Sequence, residues 1–108
     1  MGEHLKEKEL VSLLSREGKV FILKFWADWC SPCKRLEPIL KELESTYTDV
    51  EVIGINIDQD SSIANKYEVK SIPTLIFILN KEVKRVLVGV NSKEVLENAL
   101  RSILSEVK

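Results

Sequence analysis

VFILKFWADWCSPCKR, Val20–Arg35, changes character halfway along, and the change decides the fold. Val20–Trp26 is a nearly continuous apolar, β-prone run, which suits a central strand covered on both faces. From Cys30 onward the spacing turns helical, with Leu36, Ile39, Leu40, Leu43 and Tyr47 in one stripe. The spacing therefore predicts a helix over Cys30–Tyr47, kinked at Pro38, whose ring removes a backbone donor. VEVIGINID, Val50–Asp58, alternates apolar residues into a second strand. Strand, helix and strand within about forty residues make a right-handed βαβ crossover with parallel strands.

The rest of the chain extends this unit. Leu10, Val11, Leu13 and Leu14 fall among charged residues at near-helical spacing, predicting a helix over 7–17 stopped at Gly18, after a very short strand at 3–5. Ser61–Tyr67 reads as a short helix after the acidic turn Asp58–Asp60. Thr74–Leu79 and Val83–Gly89 read as strands of a hairpin joined by Asn80-Lys81-Glu82. Ser92, followed by Glu94, opens a last amphipathic helix with Val95, Leu96, Leu100, Ile103 and Leu104 inward. The fold class expected is α/β, a mixed central sheet with helices on both faces, and residues 1–108 are expected to form one domain.

Composition excludes several functions. Sixteen basic and 17 acidic side chains leave a net charge of −1, without the basic excess of a nucleic-acid or membrane-surface binder. Apolar runs such as Val86–Val90 fall far short of the about 20 residues that cross a bilayer. MGEHLKEKEL lacks the apolar core of a signal peptide, and Lys6 stands where a myristoylation motif wants Ser or Thr. The expectation is a cytoplasmic protein, and in a reducing cytosol a cysteine pair is more often catalytic or metal-binding than a staple.

A structural zinc needs four ligands, whereas this chain offers Cys30, Cys33 and the distant His4, so a metal site requires a cluster shared across a dimer. A redox couple fits the context better. Cys30 precedes a helix, whose free N–H groups and positive dipole end favour a thiolate. Cys33 follows one turn later, within disulfide reach, and Pro32 is tolerated in a first turn that needs no donor there. Cys30 is then the nucleophile and Cys33 the residue that resolves a mixed disulfide.

Over nearly its whole length the chain resembles the thioredoxin family. The resemblance rests on FWADWC at Phe25–Cys30, WCSPCK at Trp29–Lys34, PIL at Pro38–Leu40, NIDQD at Asn56–Asp60, SIPT at Ser71–Thr74 and VGV at Val88–Val90. It implies a thioredoxin fold and thiol–disulfide exchange with protein substrates, without a bound metal or organic cofactor. Cys30 and Cys33 match the family's redox pair, and Pro73 matches its cis-proline. Ile72 would offer strand-like backbone hydrogen bonds to a substrate segment. Trp29, Ile57, Ile72, Gly89 and Val90, with Thr74 beside Pro73, match the groove that meets substrates. Trp26 reads as core; Gly89 reads equally as a relaxed strand end, and Ile57 as core.

Three departures from the family stand out. Six residues ahead of the nucleophile, where a buried Asp is usual, stands Lys24, and the lysine that partners that Asp is matched by Gly54. Lys24 reads either as a packed stem whose amine meets water or a carboxylate, Asp28 or Asp58, or as a cation that reaches the disulfide or a base for it. Ser31 replaces Gly between the cysteines, and Lys81 replaces Gly at the hairpin tip. Lys34 and Arg35 either favour the Cys30 thiolate or lie on a solvated helix face.

The function expected is protein disulfide reduction at Cys30 and Cys33, with electrons from a thioredoxin reductase. Nothing in the sequence requires more than a monomer or involves nucleic acid or membrane. A more oxidising isomerase or oxidase, and a non-catalytic binding subunit on the same fold, are the rival readings.

Overall fold

The computed structural model describes residues 7–107. Helix α1 (Glu7–Leu14) leads to β1 (Val20–Trp26), α2 (Ser31–Thr46) and β2 (Val50–Asn56). Helix α3 (Ser61–Lys66), the hairpin β3 (Thr74–Leu79) and β4 (Glu82–Val88), and α4 (Lys93–Leu104) complete the chain. The suggested strand at 3–5 lies outside the described residues.

The sheet order is β2-β1-β3-β4. β1 pairs β2 in parallel, Val20 opposite Val50 through Trp26 opposite Asn56. β1–β3 and β3–β4 are antiparallel. The apolar run of β1 is explained by its central place, because successive side chains point to opposite faces and both faces are covered. Val20 and Ile22 pack with Leu36, Leu40 and Leu43 of α2 and Leu96 and Leu100 of α4. Phe21, Leu23 and Phe25 pack on the other face with Leu10 and Leu14 of α1 and Ile63 of α3. The alternation puts Lys24 and Trp26 on the face that carries α2 and α4.

Several boundaries differ from the sequence expectation. α1 ends at Leu14 rather than 17, because Ser15 and Arg16 donate to the Ser12 and Leu13 carbonyls, a tightened final turn. The Ser15 hydroxyl also donates to Ser12 O at 2.7 Å, competing with helix continuation. β2 stops at Asn56, not Asp58, since the Asn56 side-chain oxygen accepts from Asp58 N at 2.9 Å and starts a turn. The helix expected over Ser61–Tyr67 ends at Lys66, with Tyr67 as its C-cap. The hairpin turn is two residues, with Leu79 opposite Glu82, so β4 starts one residue earlier than expected and ends one earlier. Asn80 and Lys81 take φ of 51° and 72°, the positive values a two-residue type I′ turn demands. Pro38 lies inside α2, which continues through it as one 16-residue element.

Candidate active site

The site is built where β1 hands over to α2. Cys30 is the N-cap of α2, in extended conformation, and its sulfur accepts the Cys33 backbone N–H at 3.2 Å. The first four N–H positions of a helix have no intrahelical partner, and the sulfur meets the N–H of one of them. Cys30 and Cys33 are joined by a disulfide, with their Cα atoms 5.4 Å apart. Ser31 and Pro32 form the first helical turn between them, Ser31 exposed and Pro32 half-buried. Cys30 retains 4 % of its surface and Cys33 1 %, so the inner sulfur is the more enclosed. Lys34 and Arg35 are both exposed.

Around the disulfide, Ala27, Trp26, Ile57 and Ile72 make an apolar collar. Trp29 stands out at 67 % exposure, and its indole Nε1 donates to Asp58 Oδ2 at 2.9 Å. The Ile72–Pro73 peptide is cis. Gly89, at φ 87°, donates its N–H to Pro73 O at 2.8 Å and ties the end of β4 to the cis-proline segment. That φ lies where side chains are disfavoured, so backbone conformation accounts for the glycine. Thr74 is buried and its hydroxyl donates to Ser71 O at 2.6 Å, so this groove candidate points inward. Val90 is 42 % exposed. An open groove of about 420 Å³ runs beside the disulfide, lined by Trp29, Ile57, Ala64, Val69, Lys70 and Ile72 among others. Ala64, Val69 and Lys70 were missed in the sequence because groove residues carried by α3 and the following loop share no periodic pattern.

Lys24 sits in a second cleft on the α2 side of the sheet. Its side chain is 7 % exposed and its amine lies 3.3 Å from Glu37 Oε2. Neither Asp28 nor Asp58, the partners considered from sequence, meets it. Asp28 is exposed on the loop before α2, and Asp58 is taken by Trp29. Glu37 was legible in principle, since it stands one turn after Cys33 on the same helix, four residues apart. The amine also lies 5.9 Å from the centre of the Trp26 ring. Trp26 itself is half-buried, lining this second cleft and packing against the cysteine pair rather than lying fully in the core. Gly54, opposite Lys24 on β2, leaves space for the Trp26 ring: a Cβ there would make a tight contact, 3.2 Å from Trp26 Nε1.

Among the described residues there is no cluster of His, Cys, Asp and Glu fit to hold a metal ion, and no helix is long and apolar enough to cross a membrane. The chemistry the site offers is sulfur exchange, from a disulfide at a helix N-terminus beside an apolar groove.

Known proteins resemble this chain in sequence and in fold. The thioredoxin family model matches residues 2–102. The chain is 34 % identical over 97 residues to the thioredoxin of Rickettsia bellii, covering 89 % of this chain and 92 % of that one. It is 42 % identical over 81 residues to Thioredoxin-T of Drosophila melanogaster, covering 74 % of this chain but 52 % of that protein, about half its length. Its structure superposes on a mutant thioredoxin from Halobacterium salinarum NRC-1 with a TM-score of 0.84 and 30 % identity, covering 92 % of this chain and 86 % of that one. With fold, disulfide and sequence in agreement, the chain belongs to the thioredoxin family and is a thiol–disulfide oxidoreductase that acts on protein disulfides through Cys30 and Cys33.

Proposed function

We propose that the protein works as a general dithiol reductant. Cys30 attacks a substrate disulfide and forms a mixed disulfide. Cys33 then attacks Cys30, the substrate leaves as a thiol, and the chain is left with the Cys30–Cys33 disulfide. The observation that carries this reading is the placement of Cys30 at the N-cap of α2, with the Cys33 N–H aimed at its sulfur. A donor and a helix dipole directed at that sulfur favour a thiolate, the form that attacks.

Substrate binds along Trp29, Ile57, Ile72, Pro73, Gly89 and Val90, with the Ile72 backbone pairing to an extended segment. Thr74 supports this groove from below through its bond to Ser71. Ser31 and Pro32 shape the turn between the sulfurs, and Lys34 adds a weak, solvated positive charge. A thioredoxin reductase returns electrons to the pair. Residues 1–108 act as one cytoplasmic domain, as a monomer, without nucleic acid or membrane.

Glu37 supports the reductant reading over the more oxidising one. An uncompensated cation at Lys24 would favour thiolate and raise the potential, but the Glu37 carboxylate beside it offsets that charge. The test is the reduction potential of the couple, by equilibration in thiol/disulfide buffers. A value near about −270 mV is expected, and one at about −200 mV or above, in the glutaredoxin and isomerase range, sinks the general-reductant reading.

A further inference from the structure

Resolution of the mixed disulfide has a chemical requirement that Cys30 does not meet. Cys33 must lose its thiol proton before it can attack, yet it is 1 % exposed and ringed by Ala27, Trp26, Ile57 and Ile72, none of which accepts a proton. A thiol ordinarily ionises near pH ~8.5, and apolar burial pushes that value up. An acceptor within reach is therefore needed at neutral pH.

The charged groups on each element around Cys33 are few. In the loop before α2, Asp28 is exposed. After β2, Asp58 is engaged with Trp29, and Asp60 is buried at the N-cap of α3. Before β3, Lys70 lines the substrate groove. On α2, Lys34 and Arg35 are exposed cations, and Glu44 accepts the Val52 N–H at 2.7 Å. Lys41 is a cation on the rim of the second cleft. Glu37 and Lys24 remain. Glu37 is four residues after Cys33 on α2, so their Cβ atoms are about 5–6 Å apart on one helix face. Helical Cα–Cβ bonds tilt toward the N-terminus, which leans the Glu37 side chain over the turn that holds Cys33.

We propose that Glu37 accepts the Cys33 proton during resolution and that Lys24 is the positioning residue that holds its carboxylate there. Lys24 reaches Glu37 from β1 at 3.3 Å, and its buried stem fixes the pair against α2. The cleft they line, about 350 Å³ and open beside the side-chain-free Gly54, has room and polar partners for a bridging water and gives the proton an exit. In the step, the Cys33 S–H bond breaks and its proton passes to Glu37. The Cys33 thiolate attacks Cys30, the Cys30–Cys33 bond forms and the bond from Cys30 to the substrate sulfur breaks. The substrate sulfur departs with the electron pair and is protonated by solvent, while Glu37 releases its proton through the cleft.

This rests on the dithiol-reductant reading, so the experiment separates the two steps. Reduced protein is mixed in a stopped-flow cell with dithiobis(nitrobenzoate), which releases one coloured thiolate when Cys30 attacks and a second when Cys33 resolves. In E37Q the first release is expected to match wild type within about twofold, while the second falls about 10²-fold near pH 6, the lower range for a general base. The deficit is expected to close as pH rises past the thiol's own ionisation, to within about twofold by pH ~10. K24M is expected to show the same pH-dependent deficit, smaller in size. A second release in E37Q that equals wild type at every pH, or is slowed equally at every pH, overturns the role of Glu37 while leaving the reductant reading intact. A wild-type protein that shows no two-step release overturns both.

Discussion

Neutralising Glu37 and removing Lys24 break the same ion pair, but their costs should differ sharply because the partners are unequally buried. The Lys24 side chain is 7 % exposed and that of Glu37 is 55 % exposed, with 3.3 Å between their charged atoms. At about 4 Å such a pair is worth about 1 kcal/mol in water and about 4 kcal/mol in a medium of effective dielectric ~20. Glu37 is more than half solvated, so the lower part of that range applies. E37Q leaves a buried ammonium facing a neutral amide and should cost about 1–2 kcal/mol, below the 3–5 kcal/mol typical of a fully buried pair. For a domain of this length that lowers Tm by roughly 4–8 °C. K24M instead removes the buried charge, keeps an unbranched apolar stem, and leaves a carboxylate that water already reaches. The cation–π contact with Trp26 is lost, but a thioether near the ring replaces a comparable ~0.5–1 kcal/mol. K24M should therefore lie within about 1 kcal/mol of wild type. Urea unfolding of the oxidised proteins at neutral pH, with the slope m compared among the three, measures both. K24M costing more than E37Q would refute the burial argument, and with it the claim that Lys24 is the partner that needs the other.

The remaining expectations concern packing, backbone and charge. Leu36, fully buried between α2 and the sheet, should cost about 2–5 kcal/mol when cut to Ala, read as a fall in the urea midpoint with unchanged m. G89A puts a side chain at φ 87°, where nothing lies within 4 Å of the new Cβ, so its cost should be backbone alone, about 1–2 kcal/mol. A crystal structure of G89A that kept the Gly89–Pro73 hydrogen bond would fit this, and a loss of 4 kcal/mol or more would not. The Lys84 amine is bonded to Glu106 at 2.8 Å and to Glu82 at 3.2 Å, which pushes its pKa above the ordinary 10.5. A raised lysine pKa favours the fold below 10.5, and that contribution fades as pH climbs through the folded value. K84M should thus flatten the alkaline limb of the stability–pH curve, and an unchanged limb would contradict the assignment.

Much of the fold was legible because its strongest elements obey one period each. The unbroken apolar run of β1 announced a central strand, and the Leu36, Leu40, Leu43 stripe announced α2, because burial on both faces and burial on one face leave different spacings. Element ends were less legible. Asn56 ended β2 with its own side chain, and Ser15 helped end α1, by local hydrogen bonds that a hydrophobic pattern does not register. The resemblance to the thioredoxin family pointed to Pro73 as cis, but a backbone isomer has no signature in a one-letter code.

The sequence by itself determined that a cysteine pair stands at the mouth of a helix following a central strand. That placement needs no long-range contact: strand period, helix period and the CxxC spacing are all local. Only the tertiary structure decided what surrounds the pair. Lys24 looked anomalous on β1 until α2 packed across it and brought Glu37, 13 residues away, to its amine. Trp29 met Asp58 across 29 residues, and Gly89 met Pro73 from the end of another strand. Partners of this kind are chosen by how the helix lies on the sheet. Their identity therefore belongs to the packed fold and not to any one segment of the chain.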